Sequence, residues 1–281
     1  MLNSVDLQFF SIENLVKTGL PSMPSSVMRI SSLLADFNVS QQRIADAISL
    51  DPVISSRILS LANSPIYALH GTITNLTDAV NVVGNGAIAE QLLVCGVSDA
   101  FGRKVLDSAA GRTIWVHSLA TGLTASEICK MAKMRGAEDA FSCGLLHDVG
   151  KLILLRADAP FYTELIKQGE DAGDISVIER RVLGFDHAEL GAAAGIAWKL
   201  PGAVCHMIRN HHHPGTSTAG VALAHVLQTA DQFVKGRISF EDPEYFFANS
   251  DLRKFGLGEV EFEDIWDNVT LRLSEMTDPG R

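Results

Sequence analysis

Apolar residues along this chain recur every three or four positions, the spacing of amphipathic helices. Residues 1 to about 20 read as a short helix with Leu7, Phe10 and Leu15 available for docking. In LPSMPSSVMRISSLLAD two prolines make an extended lead-in, and Ser25 or Ser26 opens a helix. Asn38-Val39-Ser40 is a turn with a cap ahead of QRIADAISL. Asp51-Pro52 marks a sharp start, aspartate as N-cap and proline at the first helical position, and Ile54, Ile58 and Leu61 then share a stripe. ITNLTDAVNVVG opens the next helix behind Thr74 or Asn75. Gly84-Asn85-Gly86 is expected to interrupt it before AIAEQLLVCGV resumes the pattern. No convincing strand run appears to this point.

A second region begins near residue 106. RTIWVHSLATGLTASEICKMAK reads as one long helix with Ile114, His117, Thr121, Thr124 and Ile128 on one stripe, so His117 faces inward. FSCGLLHDVGKLILL, residues 141–155, is almost continuously apolar around His147-Asp148, which predicts one largely buried helix carrying the pair. FYTELIKQGE and ISVIERRVLG are two amphipathic helices around a turn at Ala172-Gly173-Asp174. Asp186 and Glu189 form a cap for the next helix, whose run from Gly191 to Gly195 allows close packing. Leu200-Pro201 starts a helix that runs into Arg209-Asn210-His211-His212-His213. From Val221 to about Val234, Ala224, Leu227, Asp231 and Val234 share a stripe, so Asp231 is buried and needs a partner. GLGEVEFEDIWDNVTLRL supplies a last helix.

Composition narrows the class. The 281 residues suit one large domain or two subdomains, and a hydrophobic fraction of 47% supports a sizeable core. A net charge of -10 without a basic block disfavours nucleic acid as the main partner. Cys95, Cys129, Cys143 and Cys205 show no close pairing and read as reduced core residues. No signal peptide and no run of about 18 uninterrupted apolar residues is seen, which leads to the expectation of a cytoplasmic protein without a membrane partner.

The candidate chemistry lies in His117, His147, Asp148, His187, His211, His212 and Asp231. Each alone is compatible with an ordinary core or surface residue. Together they place five histidines and two aspartates on inward faces or helix ends of an apolar bundle. That set suits one or two divalent transition metals, iron, manganese, zinc or nickel, whereas an all-oxygen site would favour magnesium or calcium.

The order His117, His147-Asp148, Asp231 resembles the H…HD…D signature of the HD superfamily of metal-dependent phosphohydrolases. LPSMPSSVMRISSLL, ISLDPVISSRILSLANSPIY, ITNLTDAVNVVG, WVHSLATG, CGLLHDVGKL, LGFDHAELGAA, IRNHHHP and the GLGEVEFEDIW tail resemble, in that order, the HDOD family of bacterial signalling proteins. The resemblance implies an all-α protein, with an N-terminal helical subdomain over residues 1–105 packed on an HD-like bundle over 106–281. It implies a first metal held by His117, His147, Asp148 and Asp231, and a second ligand group of His187, His211 and His212, with Asp148 bridging. His213 replaces a glutamate of the extended-site relatives and is not assigned. Lys151, three positions after Asp148, would share its helix face, and in related enzymes a lysine there contacts substrate phosphate. PGTSTAG follows the histidines in place of a GYP motif, which disfavours cyclic di-GMP hydrolysis. Two functions are expected from the resemblance. One is a metal-dependent phosphohydrolase with Asp148 and Lys151 catalytic. The other is a non-catalytic signalling adaptor that binds a protein or a nucleotide, with structural or absent metal. The partner expected across the two is a signalling protein or a phosphorylated small molecule or nucleotide.

Overall fold

Side-chain caps set where most helices begin. Asp51 accepts hydrogen bonds from the Val53 and Ile54 N–H groups, with Pro52 at the first helical position. Ser40 caps through Arg43, Ser108 through Gly111 and Asp174 through Ser176, and Asn75 accepts from the Asp78 N–H. Asp186 and Glu189 close a reciprocal capping box. The computed structural model describes residues 10–36, 38–67, 71–172, 174–213, 221–239 and 251–277. Leu7, Gly173 and the PGTSTAG run lie outside these described residues.

Every regular element among the described residues is helical. The main ones are α1 (Ser25–Leu34), α2 (Gln41–Ser49), α3 (Pro52–Ala62), α4 (Leu76–Leu106), α5 (Ala109–Met131), α6 (Ala137–Leu146), α7 (Val149–Ala157), α8 (Ala159–Ala172), α9 (Ile175–Leu183), α10 (His187–Ala197), α11 (Gly202–Asn210), α12 (Val221–Ser239) and α13 (Glu259–Thr277). Ahead of α1, the described part of the N-terminal segment is short: Ile12–Asn14 runs into a π-helical turn, Leu15–Gly19. Phe10 and Leu15 are both buried.

The chain forms two units. One comprises Met23–Ala100 and Asp267–Arg281, the other Met1–Ser22 and Phe101–Trp266. The division therefore falls inside α4 near residue 100, where the sequence pattern suggested 105. Both chain ends also group with the unit remote from them in sequence.

In the first unit, Val27 and Ile30 of α1, Ile44 and Ile48 of α2, Ile54 and Ile58 of α3, and Ala79, Val80, Val83, Ile88 and Leu92 of α4 form one apolar core. The expected break at Gly84-Asn85-Gly86 does not end the helix. Gly84 takes a left-handed φ of +78°, which glycine tolerates, and α4 continues past it. By length and composition α4 is apolar enough to cross a membrane, but more than half of its most apolar window is buried inside the fold. A buried face of this kind is what a core helix requires.

Asp51 gives a local test of this unit. Ser26 hydrogen-bonds its carboxyl and, against the opposing effect of burial, holds its pKa below the usual carboxylate value. The capping contribution is thus present above the unfolded pKa of about 3.9 and is lost as pH falls through the folded one. Asp51→Ala is expected to cost about 1 kcal/mol at neutral pH, read by urea denaturation, and much less when the comparison is repeated in acid.

In the second unit, α5 packs along α6 and α12, α7 lies against α8 and α10, and α10 against α11. Two close approaches fix this arrangement. A Cβ on Gly144 would lie 2.6 Å from Gly122 Cα, so α5 and α6 cross backbone to backbone. A Cβ on Gly150 would overlap the His187 carbonyl oxygen and lie 2.8 Å from the His187 carbonyl carbon, so the first turns of α7 and α10 also touch. The small run in α10 packs closely as expected, with Gly191 against Ile208 and Val149 and Gly195 against Cys205. All four cysteines are buried and free.

Candidate metal centre

His147 and Asp148 do not ride on one continuous helix as the apolar pattern suggested. α6 ends at Leu146, α7 begins at Val149, and Asp148 takes φ −99° and ψ 10° at the break. The apolar phase carries on through the break, so periodicity hides it. The kink has a structural consequence: it lets one buried carboxylate face groups from several helices. Asp148 Oδ2 lies 3.4 Å from His147 Nε2 and accepts a hydrogen bond from Lys151 Nζ at 2.7 Å. Asp148 Oδ1 lies 3.2 Å from His187 Nε2 and 3.9 Å from His211 Nε2.

The other residues close in from both sides. His117, from the inward stripe of α5, contacts Asp231 Oδ1 of α12 at 2.9 Å, and the same oxygen is 3.6 Å from His147 Nε2. Lys235 holds the second Asp231 oxygen at 2.6 Å. On the opposite side His212 Nε2 meets His187 Nε2 at 2.9 Å, and the His211 and His212 rings lie 3.9 Å apart. All seven residues singled out in the sequence, together with Lys151, thus share one site. His213 is exposed. Two groups among the described residues could hold a metal, His117–His147–Asp148 and His187–His211–His212, each with donor atoms within 4.8 Å of one another.

The donor chemistry fits a cation. His147 and His211 each donate their Nδ1–H to the carbonyl three residues back, Gly144 and Ile208, at 2.7 Å. Each Nε2 is therefore turned inward, and both are buried without a hydrogen-bond partner, as is Asp148 Oδ1. Orphaned buried acceptors are rare and costly, about 1–3 kcal/mol each. A metal accepts such lone pairs, and hydrogen bonds at the far ring nitrogen orient imidazoles for that role.

The electrostatics agree with this. Burial alone would lower His147, but the carboxylates of Asp148 and Asp231 outweigh it and push it up to about 9. The two carboxylates thus make the position favourable for a positive charge. Burial opposes ionisation of Asp148, but the His147 and Lys151 charges hold its carboxyl well below the usual range. Asp231 is held down likewise against burial, chiefly by its hydrogen bond from His117 and by the nearby His147 and Lys235. Burial and the neighbouring rings push His211 well below the ordinary imidazole value, so its Nε2 stays a bare lone pair, and burial with His187 lowers His212 to about 4.

The site opens on a cavity of about 940 Å³. His117, Asp148 and His212 line its floor. Arg112, Lys151 and Lys235 bring three cations to it, and Ile114, Val116, Ile166 and Ile175 give it apolar wall. Arg112 and Lys235 escaped the sequence reading because surface cations are common. Glu179 escaped it too, although a carboxylate in step with Ile175 and Val182 of α9 carries the same signal that singled out Asp231.

Comparisons place this architecture. The HDOD domain model matches residues 20–214, more than half of the chain. An uncharacterized protein of Treponema pallidum is 27% identical over 198 residues, which is 69% of this chain and 38% of that protein. The chain therefore spans little more than a third of that relative's length. A protein of Shewanella amazonensis, provisionally named a phosphohydrolase, superposes with a TM-score of 0.76 at 21% identity, covering 94% of this chain and 97% of that one. An HDOD domain protein of unknown function from Geobacter sulfurreducens gives 0.72 at 22% identity, covering 98% of each chain. At these identities the two structures establish the shared fold. With its all-helical architecture and a family match that spans most of its length, this chain belongs to the HDOD family.

Proposed function

We propose that this protein is a metal-dependent phosphohydrolase acting on a phosphorylated small molecule. The observation that carries the reading is Asp148. It is a buried carboxylate whose two oxygens face two separate histidine groups, beside orphaned imidazole nitrogens and under a cation-lined cavity. His117, His147, Asp231 and Asp148 would hold one divalent transition metal, and His187, His211, His212 and Asp148 a second. Imidazole-rich donors favour iron, manganese, zinc or nickel. When bound, such metals polarise a phosphoryl oxygen and lower the pKa of an attacking water.

The remaining work falls to the chain itself. Lys151 and Lys235 each hold one oxygen, Oδ2, of Asp148 and Asp231 respectively and stand at the cavity, where their charge also meets phosphate oxygens. Arg112 adds a guanidinium suited to bidentate phosphate binding. The isoleucine wall accepts the apolar part of an ester and excludes water from that side.

Elemental analysis of protein purified without chelator, followed by phosphate release from a panel of phosphomonoesters, phosphodiesters and nucleotides, tests this reading. Metal at stoichiometric levels with turnover of at least one class is expected. Metal-loaded protein inert across the panel would sink the hydrolase.

A second reading is a signalling adaptor. It draws on the helical unit of Met23–Ala100 with Asp267–Arg281, where no metal-binding group occurs among the described residues. Here the metal would stabilise the neighbouring unit, and a signalling protein or a nucleotide would be the partner. Retention of cellular function by a metal-free Asp148 variant separates the two.

A further inference from the structure

Beneath His187 lies a carboxylate that the proposed chemistry does not use. Glu179 of α9 is fully buried, at 0% exposure. Its Oε2 accepts from the His187 backbone N–H at 2.8 Å and from His187 Nδ1–H at 2.6 Å. Its Oε1 accepts from the Tyr162 hydroxyl at 2.5 Å, and Tyr162 is fully buried as well. Taking a carboxylate out of water costs several kcal/mol, so a fold retains one where strong hydrogen bonds offset that cost. Two of the three bonds here converge on a single residue, His187.

The consequence for His187 is specific. With Nδ1 donating to Glu179, its Nε2 lone pair is turned toward Asp148 Oδ1 and His212 Nε2. His147 and His211 are oriented the same way, but by neutral backbone carbonyls. Among these three rings only His187 has an anion behind it. A carboxylate at the far nitrogen fixes the tautomer and makes the imidazole a more basic ligand than a carbonyl does. Tyr162 in turn fixes the carboxylate. The chain from α8 through α9 to α10 thus ends in one of the two candidate half-sites and does not reach the other.

We propose that Glu179 is a positioning residue that, held by Tyr162, selectively supports divalent-metal binding at the His187–His211–His212 half-site. This rests on the metal centre proposed above.

The test compares the full-length wild-type protein with Glu179→Gln and Tyr162→Phe. Each is loaded with cobalt(II), titrated with a competing chelator, and followed by its absorption spectrum and by elemental analysis. The wild type is expected to hold two equivalents. Glu179→Gln should keep the first with unchanged affinity and bind the second about 10–100-fold more weakly. Tyr162→Phe should weaken the same equivalent a few-fold, and it carries the test if Glu179→Gln does not fold. Two equivalents held by Glu179→Gln at wild-type affinity would overturn the proposal while leaving the metal centre standing. Equal weakening of both equivalents would also overturn it, because a general structural role predicts that pattern. A wild-type protein that takes up no cobalt would overturn the metal centre and this inference together.

Discussion

Replacing Asp148 with alanine is expected to abolish metal binding at both halves of the centre. Its two oxygens face the two histidine groups: one is 3.4 Å from His147 Nε2 and the other 3.2 Å from His187 Nε2. Its loss removes the shared anion and leaves Lys151 without the carboxylate it holds at 2.7 Å. Removing even a supporting hydrogen bond behind a metal ligand costs about 10–100-fold in affinity, so if Asp148 is shared as proposed, its loss should exceed about 100-fold at each half-site. Metal content by elemental analysis should fall to background, and any phosphate-ester turnover should go with it. Metal binding stabilises a fold by mass action, so the metal-loaded wild type should also melt higher than the variant, and chelation should narrow that gap. A variant that still held one equivalent at wild-type affinity would show that Asp148 serves a single half-site and would refute the bridging arrangement.

Gly150→Ala is expected to be strongly destabilising. Its Cβ would overlap the carbonyl oxygen of His187 and lie 2.9 Å from His187 Cα. Those atoms are backbone in the first turn of α10 and cannot swing aside as a side chain would. Relief requires α7 and α10 to separate, which undoes packing at a contact that also brings Asp148 to His187. Overpacking typically costs about 1–3 kcal/mol, and a backbone clash belongs at the upper end. At about 2–4 °C per kcal/mol for a domain of this size, the melting temperature should drop by roughly 6–12 °C. The His187 half-site should lose metal affinity before the His117 half-site does. Gly184→Ala tests a different effect: the added Cβ meets no atom within 4 Å there, but φ is +83°, so only backbone strain is introduced. Its melting temperature should fall by less and its metal content should not change. Equal effects of the two substitutions would argue that the α7–α10 contact is not what positions the site.

Much of this molecule is legible in its sequence because helices announce themselves locally. Caps such as Asp51-Pro52 and Asp186 with Glu189 need only neighbours along the chain, and the structure uses both. Stripes report burial for the same reason. Ile114, His117, Thr121, Thr124 and Ile128 share the inward side of α5, and Asp231 stands out on α12 because a carboxylate on an apolar stripe needs a partner. The family resemblance joins these positions into one candidate centre.

What only the tertiary structure decided is where continuity ends and which groups meet. The apolar phase runs unbroken through residues 141–155, yet the helix breaks at His147-Asp148, and the Asp148 carboxylate at the break faces groups from several helices. Gly84 looked like an interruption and is not one, since packing of α4 on both sides carries the helix across a single left-handed residue. Glu179 is in step with the apolar Ile175 and Val182 of α9, which marks it as a carboxylate in need of a partner but does not name one. Its role depends on His187 and Tyr162, which lie on other helices. Periodicity and caps are properties of a few consecutive residues, so the sequence states them directly. A shared carboxylate, a backbone contact at a glycine or a hydrogen bond beneath a ligand is a relation between distant segments, and it exists only once the helices have packed.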